Sequence, residues 1–329
     1  MNTNMCSDAG TKSQSQHRFV DIGANLLEER FTKGTYRGKF RHEPDLEQIL
    51  ERASRVGVRR IILTAGTVEE SRSAVVQARA WRDLYPSIDF TCTVGVHPTR
   101  CQQVFEDSEA SSGDLLQELL EIAEDGIKDG TVVAIGEIGL DYDRLEFCPK
   151  DVQHKYLVQQ LTILASKTAL PLFLHNRNVG KDLYDVLQTH RDCWKAGGVV
   201  HSFDDTLELA NDFIEDLGLY IGLNGCSLRT DDNLQVAQHL RLDRILLETD
   251  CPYCEVRKAH PGYQYIKTHF EGKSEKKFES GLTVKSRQEP CHIIQVAEII
   301  AGIRHVPLSQ VTEACFENTL RLYGWAGSS

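Results

Sequence analysis

The chain has 329 residues, 41% of them hydrophobic, which is enough apolar material for one large core or two ordinary ones. Its 37 basic and 48 acidic residues give a formal net charge of −11, which excludes the overall positive field of many nucleic-acid-binding proteins. A nucleic-acid substrate would therefore need a local basic patch or a bound cation. No apolar run approaches the ~20 residues that cross a bilayer, so we expect no membrane association.

The N-terminal residues 1–17, MNTNMCSDAGTKSQSQH, contain neither an apolar signal segment nor the Arg-rich pattern of a transit peptide, and they predict a disordered tail. Ten cysteines are scattered along the chain instead of forming a disulfide framework, which indicates reduced thiols inside a cell. We therefore expect a protein of the cytoplasm, the nucleus or both. A single folded domain is predicted over residues 18–326.

Short β-branched runs alternate with longer stretches of helical periodicity along the rest of the chain. The predicted strands are 19–22, 60–64, 90–96, 132–136, 170–175, 199–201, 219–222 and 245–248, and helices are predicted at 45–56, 114–128, 152–167 and 207–217, among others. Eight such units predict an α/β fold of the (β/α)8 TIM-barrel type. No GxGxxG follows the first strand, which disfavours a dinucleotide-binding sheet.

Polar residues stand at or just after six of these runs, where the active site of a barrel is built. They are Asp21, His97, Glu137, His175, His201 and Asp250. Any one of them could simply cap the next helix. A barrel, however, brings the strand ends around one axis, so two imidazoles and two carboxylates would share a pocket suited to a divalent cation. That set is Glu137, His175, His201 and Asp250.

Seven stretches carry a family resemblance when they are taken in order. They are FVDIGANL, VGVHP, IGEIGLDY, LHNR, HSF, LLETDCPY and ENTLRLYGW, and together they extend from Phe19 to Trp325. In this order they resemble the TatD family of metal-dependent deoxyribonucleases, a branch of the amidohydrolase superfamily. The resemblance implies a metal-dependent hydrolase of the TIM-barrel type.

The resemblance also implies roles for individual residues. Glu137, His175, His201 and Asp250 would be metal ligands, with Glu137 able to bridge two ions and Asp250 able to take a proton from the attacking water. His97 would face the substrate. Arg177 would reach a phosphate, although a surface salt bridge explains it equally well, and Asp141 would lie on the substrate side or form a turn.

The first strand departs from the superfamily pattern. Many amidohydrolases have Asp-x-His-x-His there, whereas this chain has Asp21, Gly23 and Asn25, as some eukaryotic members do. Glycine offers no ligand and asparagine one neutral oxygen, so the remaining set is richer in oxygen and favours Mg²⁺ or Mn²⁺ over Zn²⁺. We predict one well-held ion and a second that substrate phosphate completes, with Asp21 and Asn25 as ligands of that second ion, directly or through water.

Residues 251–287 form the longest stretch without regular periodicity, and they are predicted to be a long functional loop. Eight basic residues against four acidic ones give this loop a charge of +4, and aromatic residues are interspersed among them. That mixture suits single-stranded nucleic acid, whose phosphates meet cations while its bases stack. The CPYC at Cys251 and Cys254 is interpreted as packing beside the active site instead of a redox pair.

Together these features predict hydrolysis of phosphodiester bonds in DNA, with RNA as a further substrate and no organic cofactor. The family resemblance implies a 3′–5′ exonuclease that prefers single strands. Two alternatives stay open from the sequence. One is another amidohydrolase-type hydrolase acting on an ester or amide, such as a deacylase of aminoacylated RNA. The other is a non-catalytic nucleic-acid-binding relative.

Overall fold

A computed structural model describes residues 17–325, so all but His17 of the predicted N-terminal tail lies outside the described residues. Eight strands pair in parallel and in chain order. They are β1 (Phe19–Ala24), β2 (Val58–Leu63), β3 (Asp89–Val94), β4 (Val132–Asp141), β5 (Leu172–Arg177), β6 (Gly198–His201), β7 (Tyr220–Leu223) and β8 (Ile245–Leu247). The predicted (β/α)8 barrel is confirmed.

The barrel closes between β1 and β8 through backbone contacts just beyond the short last strand. Asp250 N donates to Gly23 O at 2.9 Å, and Asn25 N donates to Cys251 O at 2.8 Å. These bonds hold the end of the first strand against the residues that follow the last one. The first-strand motif and the Thr-Asp-Cys motif are therefore neighbours in space, although more than two hundred residues separate them in sequence.

Helices surround the barrel. They are α1 (Leu46–Val56), α2 (Val68–Leu84), α3 (Ser112–Lys128), α4 (Lys150–Gln160), α5 (Asp182–Thr189), α6 (Leu207–Asn211), α7 (Asp231–His239), α8 (Ile293–Arg304) and α9 (Leu308–Leu322), with a short helix at Glu29–Thr32. Several begin at a side-chain cap that satisfies a free backbone N–H. Ser111, for example, accepts from Asp114 N at 3.1 Å at the start of α3.

Apolar side chains form two layers. The larger cluster lies between the strands and the helices, and includes Leu119 of α3 and Leu174 of β5. The smaller cluster fills the barrel interior with residues such as Ile22 and Phe173, and Phe316 of α9 joins it from the N-terminal side of the strands. The barrel is thus filled at that end, which leaves the C-terminal ends of the strands for polar chemistry.

The segment 251–287 is more regular than its sequence indicates. It contains a 3₁₀ helix at Pro261–Tyr265 and two short paired strands, Gly272–Lys273 and Thr283–Val284. Glu298 of α8 accepts hydrogen bonds from the backbone N–H groups of Lys267 and Thr268. The segment is therefore anchored to the helical layer.

No helix within residues 17–325 is both long and apolar enough to pass through a membrane.

Candidate active site

Glu137 is the centre of the polar cluster at the C-terminal ends of the strands. Its Oε1 lies 2.7 Å from His175 Nδ1, 2.7 Å from His201 Nε2 and 3.3 Å from His97 Nε2. His175 belongs to β5 and His201 ends β6, while His97 follows β3. Four neighbouring strands thus deliver one carboxylate and three imidazoles to a single point.

The protonation of this cluster is coupled. Burial opposes ionisation of Glu137, but the neighbouring His201 and His97 outweigh it and hold the pKa of this carboxyl well below its usual range. Burial likewise disfavours a charged His201, yet the Glu137 and Glu248 carboxylates raise the pKa of its imidazole well above its ordinary value. In the metal-free protein, two buried charges of opposite sign therefore stabilise each other, and a cation bound here would replace the proton on the imidazole.

His175 sits between two carboxylates. Its second nitrogen, Nε2, lies 3.1 Å from Asp141 Oδ2. Burial lowers the pKa of His175, but the hydrogen bonds to Asp141 and Glu137 raise it overall. Asp141 is fully buried and also accepts from Arg144 Nη1 at 3.3 Å. In addition to its predicted role in a turn, Asp141 therefore fixes the orientation of the His175 imidazole.

Asp250 faces the cluster from the residues that follow β8. Its backbone is in the left-handed region, with φ of 51°, which is strained for a residue with a side chain. Asn25 Nδ2 donates to Asp250 Oδ1 at 3.0 Å, and Cys254 Sγ donates to Oδ2 at 3.3 Å. Burial raises the pKa of Asp250 to about 6. A carboxylate held in place with a pKa near neutrality is suited to general-base chemistry.

The three residues of the first-strand motif, Asp21, Gly23 and Asn25, lie in different environments. Asn25 lines the cavity, and its Oδ1 accepts from Thr64 Oγ1 at 2.6 Å. Asp21 is fully buried, and its two oxygens accept from the backbone N–H and the hydroxyl of Thr249, at 2.9 and 2.6 Å. Asp21 is absent from the residues that line the cavity in the described part of the chain. Its carboxylate is thus directed at Thr249 and not at the four predicted ligands.

Gly23 leaves room for a carboxylate that the sequence did not single out. A Cβ built on Gly23 would lie 2.8 Å from Glu248 Oε2 and 3.2 Å from Phe173 Cζ. Glu248 is fully buried, and its Oε1 accepts from Ser202 N at 2.6 Å. Its Oε2 lies 3.4 Å from His201 Nδ1. Glu248 therefore supports the ring of His201, and its only sequence signal was its place at the end of the last predicted strand.

A cavity of about 700 Å³ opens above the cluster. Six arginines line it, namely Arg30, Arg100, Arg144, Arg177, Arg229 and Arg257. Arg177 also forms an ion pair with Asp204 at 3.8 Å, as the salt-bridge interpretation requires, and its contact to a phosphate stays a prediction. Phe147 and Tyr253 line the same cavity and are 60% and 46% exposed.

The basic residues of segment 251–287 contribute less to this cavity than its +4 charge suggests. Arg257 lines the cavity. Lys273 is paired with Glu279. Arg287 is fully buried and forms ion pairs with Asp45 and Glu289. The positive lining therefore comes mostly from residues at or after the ends of other strands, of which sequence analysis identified Arg177 alone.

The donor set fits a divalent cation. Within the described residues, the ligand atoms of Glu137, His175 and His201 all lie within 4.8 Å of one another, and so do those of His97, Asp141 and His175. Two imidazole nitrogens and carboxylate oxygens at this separation are the ligands of catalytic metal sites with open positions. Glu137, His175 and His201 would hold such an ion, with Asp250 on the same cavity wall.

A parallel eight-stranded barrel with this cluster at its C-terminal end has the architecture of a metal-dependent hydrolase of the amidohydrolase type. The family model described as TatD related DNase matches residues 20–324, and the chain belongs to this family.

Individual relatives agree with this assignment. The chain is 41% identical to a protein named deoxyribonuclease Tat-D from Schizosaccharomyces pombe, over 93% of this chain and 95% of that protein. It is 29% identical to a 3′-5′ ssDNA/RNA exonuclease TatD from Pectobacterium parmentieri, over 92% and 98%. The crystal structure of an uncharacterized amidohydrolase from Saccharomyces cerevisiae superimposes with a TM-score of 0.85 and 29% identity, covering 93% of this chain and all of that one. The protein is thus a hydrolase that acts on ester bonds.

Proposed function

We propose that this protein is a divalent-cation-dependent deoxyribonuclease that removes nucleotides from the 3′ end of single-stranded DNA. The observation that carries the proposal is the convergence of His175 and His201 on Glu137 Oε1, each at 2.7 Å, beneath an arginine-lined cavity. Glu137, His175, His201 and Asp250 are the proposed ligands. A cation held by them would neutralise charge on phosphate oxygens and lower the pKa of water.

The ligand set favours Mg²⁺ or Mn²⁺. Gly23 and Asn25 stand where the family resemblance places two histidines, so the proposed set has two fewer nitrogen ligands and keeps two carboxylates, Glu137 and Asp250. Oxygen-rich sites prefer hard cations. Zn²⁺ is the alternative, because His175 and His201 stay available as nitrogen ligands.

Asp250 is the proposed proton acceptor for the attacking water. Burial raises its pKa to about 6 in the metal-free protein, and a bound cation would favour the ionised form that can accept a proton. Asn25 and Cys254 each hold one of its oxygens, which keeps the carboxylate aimed at the cavity. His97 and Arg177 line the same cavity and are the proposed contacts to the scissile phosphate.

Two features support a single-strand end as substrate. A cavity of about 700 Å³ is the size of a small-molecule pocket and holds a few groups instead of a length of duplex. The exposed rings of Phe147 and Tyr253 offer stacking surfaces that unpaired bases can reach. The 3′-5′ polarity and RNA as a further substrate rest on the names of relatives such as the Pectobacterium protein.

The test uses oligonucleotides labelled at the 5′ or the 3′ end, as single-stranded DNA, blunt duplex and RNA. Each is incubated with Mg²⁺, Mn²⁺, Zn²⁺ or EDTA. We expect 5′-labelled single strands to shorten stepwise with Mg²⁺ or Mn²⁺ and to stay intact in EDTA. His201→Ala should lose at least 100-fold in rate, roughly the loss of a ~3 kcal/mol contribution to the transition state.

His239→Ala is the matched control, because His239 is exposed on α7 and its ring forms a hydrogen bond to the Gln235 carbonyl of the same helix. It should keep the parental rate. If no metal releases nucleotides from any substrate, or if His201→Ala cleaves like the parent, the nuclease proposal is wrong. Release of mononucleotides first from the 5′ end would overturn the polarity alone. Hydrolysis of an aminoacylated RNA without shortening of its chain would favour the deacylase alternative.

A further inference from the structure

Two thiols from different loops meet at the edge of the cavity. Cys226 follows β7 and Cys254 follows β8, and both line the cavity. Both are free, and each thiol shifts the pKa of the other, so their side chains are neighbours. The sequence drew attention to a different pair, Cys251 and Cys254 in CPYC. Cys251 is instead fully buried in the apolar core, so the thiol partner of Cys254 comes from another loop.

The backbones of these two loops are also in contact. A Cβ built on Gly225 would lie 2.0 Å from the carbonyl oxygen of Cys254, so only glycine fits at that position. His260 Nε2 lies 2.9 Å from Gly225 O and ties the first loop to the segment that follows the second. The fold therefore holds the two loops against each other at the positions of these cysteines, which is the backbone proximity that a disulfide needs.

We propose that Cys226 and Cys254 form a reversible disulfide on exposure to hydrogen peroxide or an organic hydroperoxide, and that this oxidation lowers the hydrolytic activity. The effect on activity rests on the proposed function of the neighbouring site, whereas formation of the disulfide does not. Only Cys226 and Cys254 are oxidised in this reaction, and the proposed metal ligands keep their chemical form.

The surroundings of Cys226 favour its role as the first nucleophile. The guanidinium of Arg229 contacts its sulfur atom. The neighbouring Cys254 side chain and this positive charge overcome burial and lower the pKa of the Cys226 thiol to about 7. A substantial fraction is therefore thiolate near neutral pH, the form that attacks peroxides. The cavity gives a small oxidant access to the sulfur.

The reaction balances in two steps. The Cys226 thiolate attacks one peroxide oxygen and the O–O bond breaks, leaving a sulfenic acid on Cys226. The departing hydroxide takes a proton from solvent to become water, and an organic hydroperoxide releases an alkoxide that becomes an alcohol in the same way. The Cys254 sulfur then attacks the Cys226 sulfur, an S–S bond forms, and the sulfenic hydroxyl leaves with the thiol proton as a second water. Two thiols lose two electrons in total, and one peroxide gains them.

Oxidation would disturb the proposed base directly. In the reduced protein, Cys254 Sγ donates to Asp250 Oδ2 at 3.3 Å. A disulfide has no S–H group, so Asp250 loses that donor. The new bond also draws the Cys254 side chain toward Cys226, along the wall of the cavity. We therefore expect a loss of activity of severalfold or more, reversed when the disulfide is reduced.

The test oxidises the full chain with hydrogen peroxide in EDTA, removes the peroxide, and divides the sample. One part is denatured, alkylated and digested with trypsin for mass spectrometry. We expect residues 196–229 linked to residues 245–257, with one alkyl group remaining on Cys251. The other part is assayed with Mg²⁺ on single-stranded DNA, before and after treatment with dithiothreitol.

Cys226→Ser should form no disulfide-linked peptide. Its rate after peroxide treatment should equal the rate of the same variant without treatment. Cys193→Ser is the matched control, because Cys193 is a partly exposed free thiol that does not line the cavity, and this variant should respond like the parent. If Cys226 and Cys254 of the peroxide-treated parent protein are both alkylated, the proposed disulfide does not form and the proposal is wrong. A link that forms without changing the rate overturns the effect on activity. If the untreated protein has no nuclease activity, the proposed function fails while the mass spectrum still decides on the disulfide.

Discussion

At the scale of single residues, Gly23 is a packing requirement as well as a missing ligand. Any side chain there would meet Glu248 Oε2 within 2.8 Å of its first carbon. Glu248 in turn approaches His201 and accepts from Ser202 N. A histidine at position 23 could therefore be restored only if Glu248 moved and its support of His201 were lost. The Asp-x-Gly-x-Asn start belongs to a consistent arrangement of the site.

The neighbouring Asp21 makes stability depend on pH. Burial is the main cause that raises the pKa of this carboxyl to about 8, although its hydrogen bonds from Thr249 act in the opposite direction. In the unfolded chain the same group ionises near pH 4. Between those values the folded state binds more protons than the unfolded state, so the free energy of unfolding falls as pH rises.

Asp21→Asn should remove this dependence, because the amide keeps an oxygen for Thr249 N and never ionises. We expect the variant to gain stability over the parent by roughly 1 kcal/mol for each pH unit between about pH 5 and about pH 8. Urea unfolding in EDTA at several pH values measures the difference. Asp83→Asn, at an exposed position of α2, should show no such trend. A difference between Asp21→Asn and parent that stays constant with pH would contradict the burial argument.

At the scale of elements, the hydrophobic pattern predicted all eight strands because each is a short apolar run that is buried on both faces. It placed the end of β4 too early, at residue 136, whereas the strand continues to Asp141. Glycines and Glu137 interrupt the apolar run there, although the backbone remains extended. Glu137 is therefore held within a strand, a more rigid position than the loop that the sequence suggested.

The cluster was also predictable, since a barrel gathers strand ends around one axis whatever its loops do. The lining of the cavity was not. Arg144, Phe147 and Arg229 lie in loops, and nothing in local sequence indicates which loop side chains turn over the mouth of a barrel. The same holds for Cys226 and Cys254, whose proximity depends on how two loops pack. The sequence favoured the basic side chains of segment 251–287, yet Lys273 and Arg287 are engaged in ion pairs.

The β4–α4 and β8 loops carry the exposed rings of Phe147 and Tyr253, which we expect to stack on unpaired bases. Phe147→Ala should raise KM for single-stranded DNA roughly tenfold with little change in kcat, since stacking on an aromatic ring contributes about 1–3 kcal/mol per base. Tyr253→Ala should act similarly. Steady-state kinetics on DNA and on an oligonucleotide with abasic 3′-terminal sites measure the effect, and the abasic substrate should be insensitive to both changes.

Phe40→Ala provides the control for these loops. Phe40 is 62% exposed on the short strand Lys39–Phe40 and does not line the cavity. The Phe40→Ala substitution removes an exposed phenyl ring of the same size, but at a site away from the proposed path of the DNA. KM for single-stranded DNA should therefore be unchanged. Equal effects of Phe40→Ala and Phe147→Ala would indicate a general loss of surface hydrophobicity, and would argue against stacking.

At the scale of the whole molecule, charge is separated between the surface and the cavity. The chain carries a net charge of −11, yet six arginines line the cavity. An acidic surface disfavours non-specific binding along DNA, while a lining of six arginines against four carboxylates would hold phosphates near the proposed ligands. This distribution suits an enzyme that engages one end of a strand and releases it after cleavage.

The proposed ligands also connect distant parts of the barrel. They belong to β4, β5 and β6 and to the residues after β8, so a cation bound by all four would link strands on both sides of the barrel. Binding to the folded state alone stabilises it by about 2.7 kcal/mol when the free ion is at 100 times its Kd. For a domain of this size we expect a rise in Tm of roughly 3–6 °C.

Thermal unfolding followed by circular dichroism, with Mn²⁺ or Mg²⁺ against EDTA, tests this expectation. The quantity compared between variants is the metal-dependent difference in Tm, because removing a buried imidazole can itself lower Tm. His201→Ala should lose most of that difference, whereas His239→Ala should keep it. Stabilisation that persists in His201→Ala would show that the ion binds elsewhere. The absence of any shift in the parent at millimolar concentrations of both metals would show that the four residues do not form a cation site in the free protein, and an ion would then have to enter with the substrate phosphate.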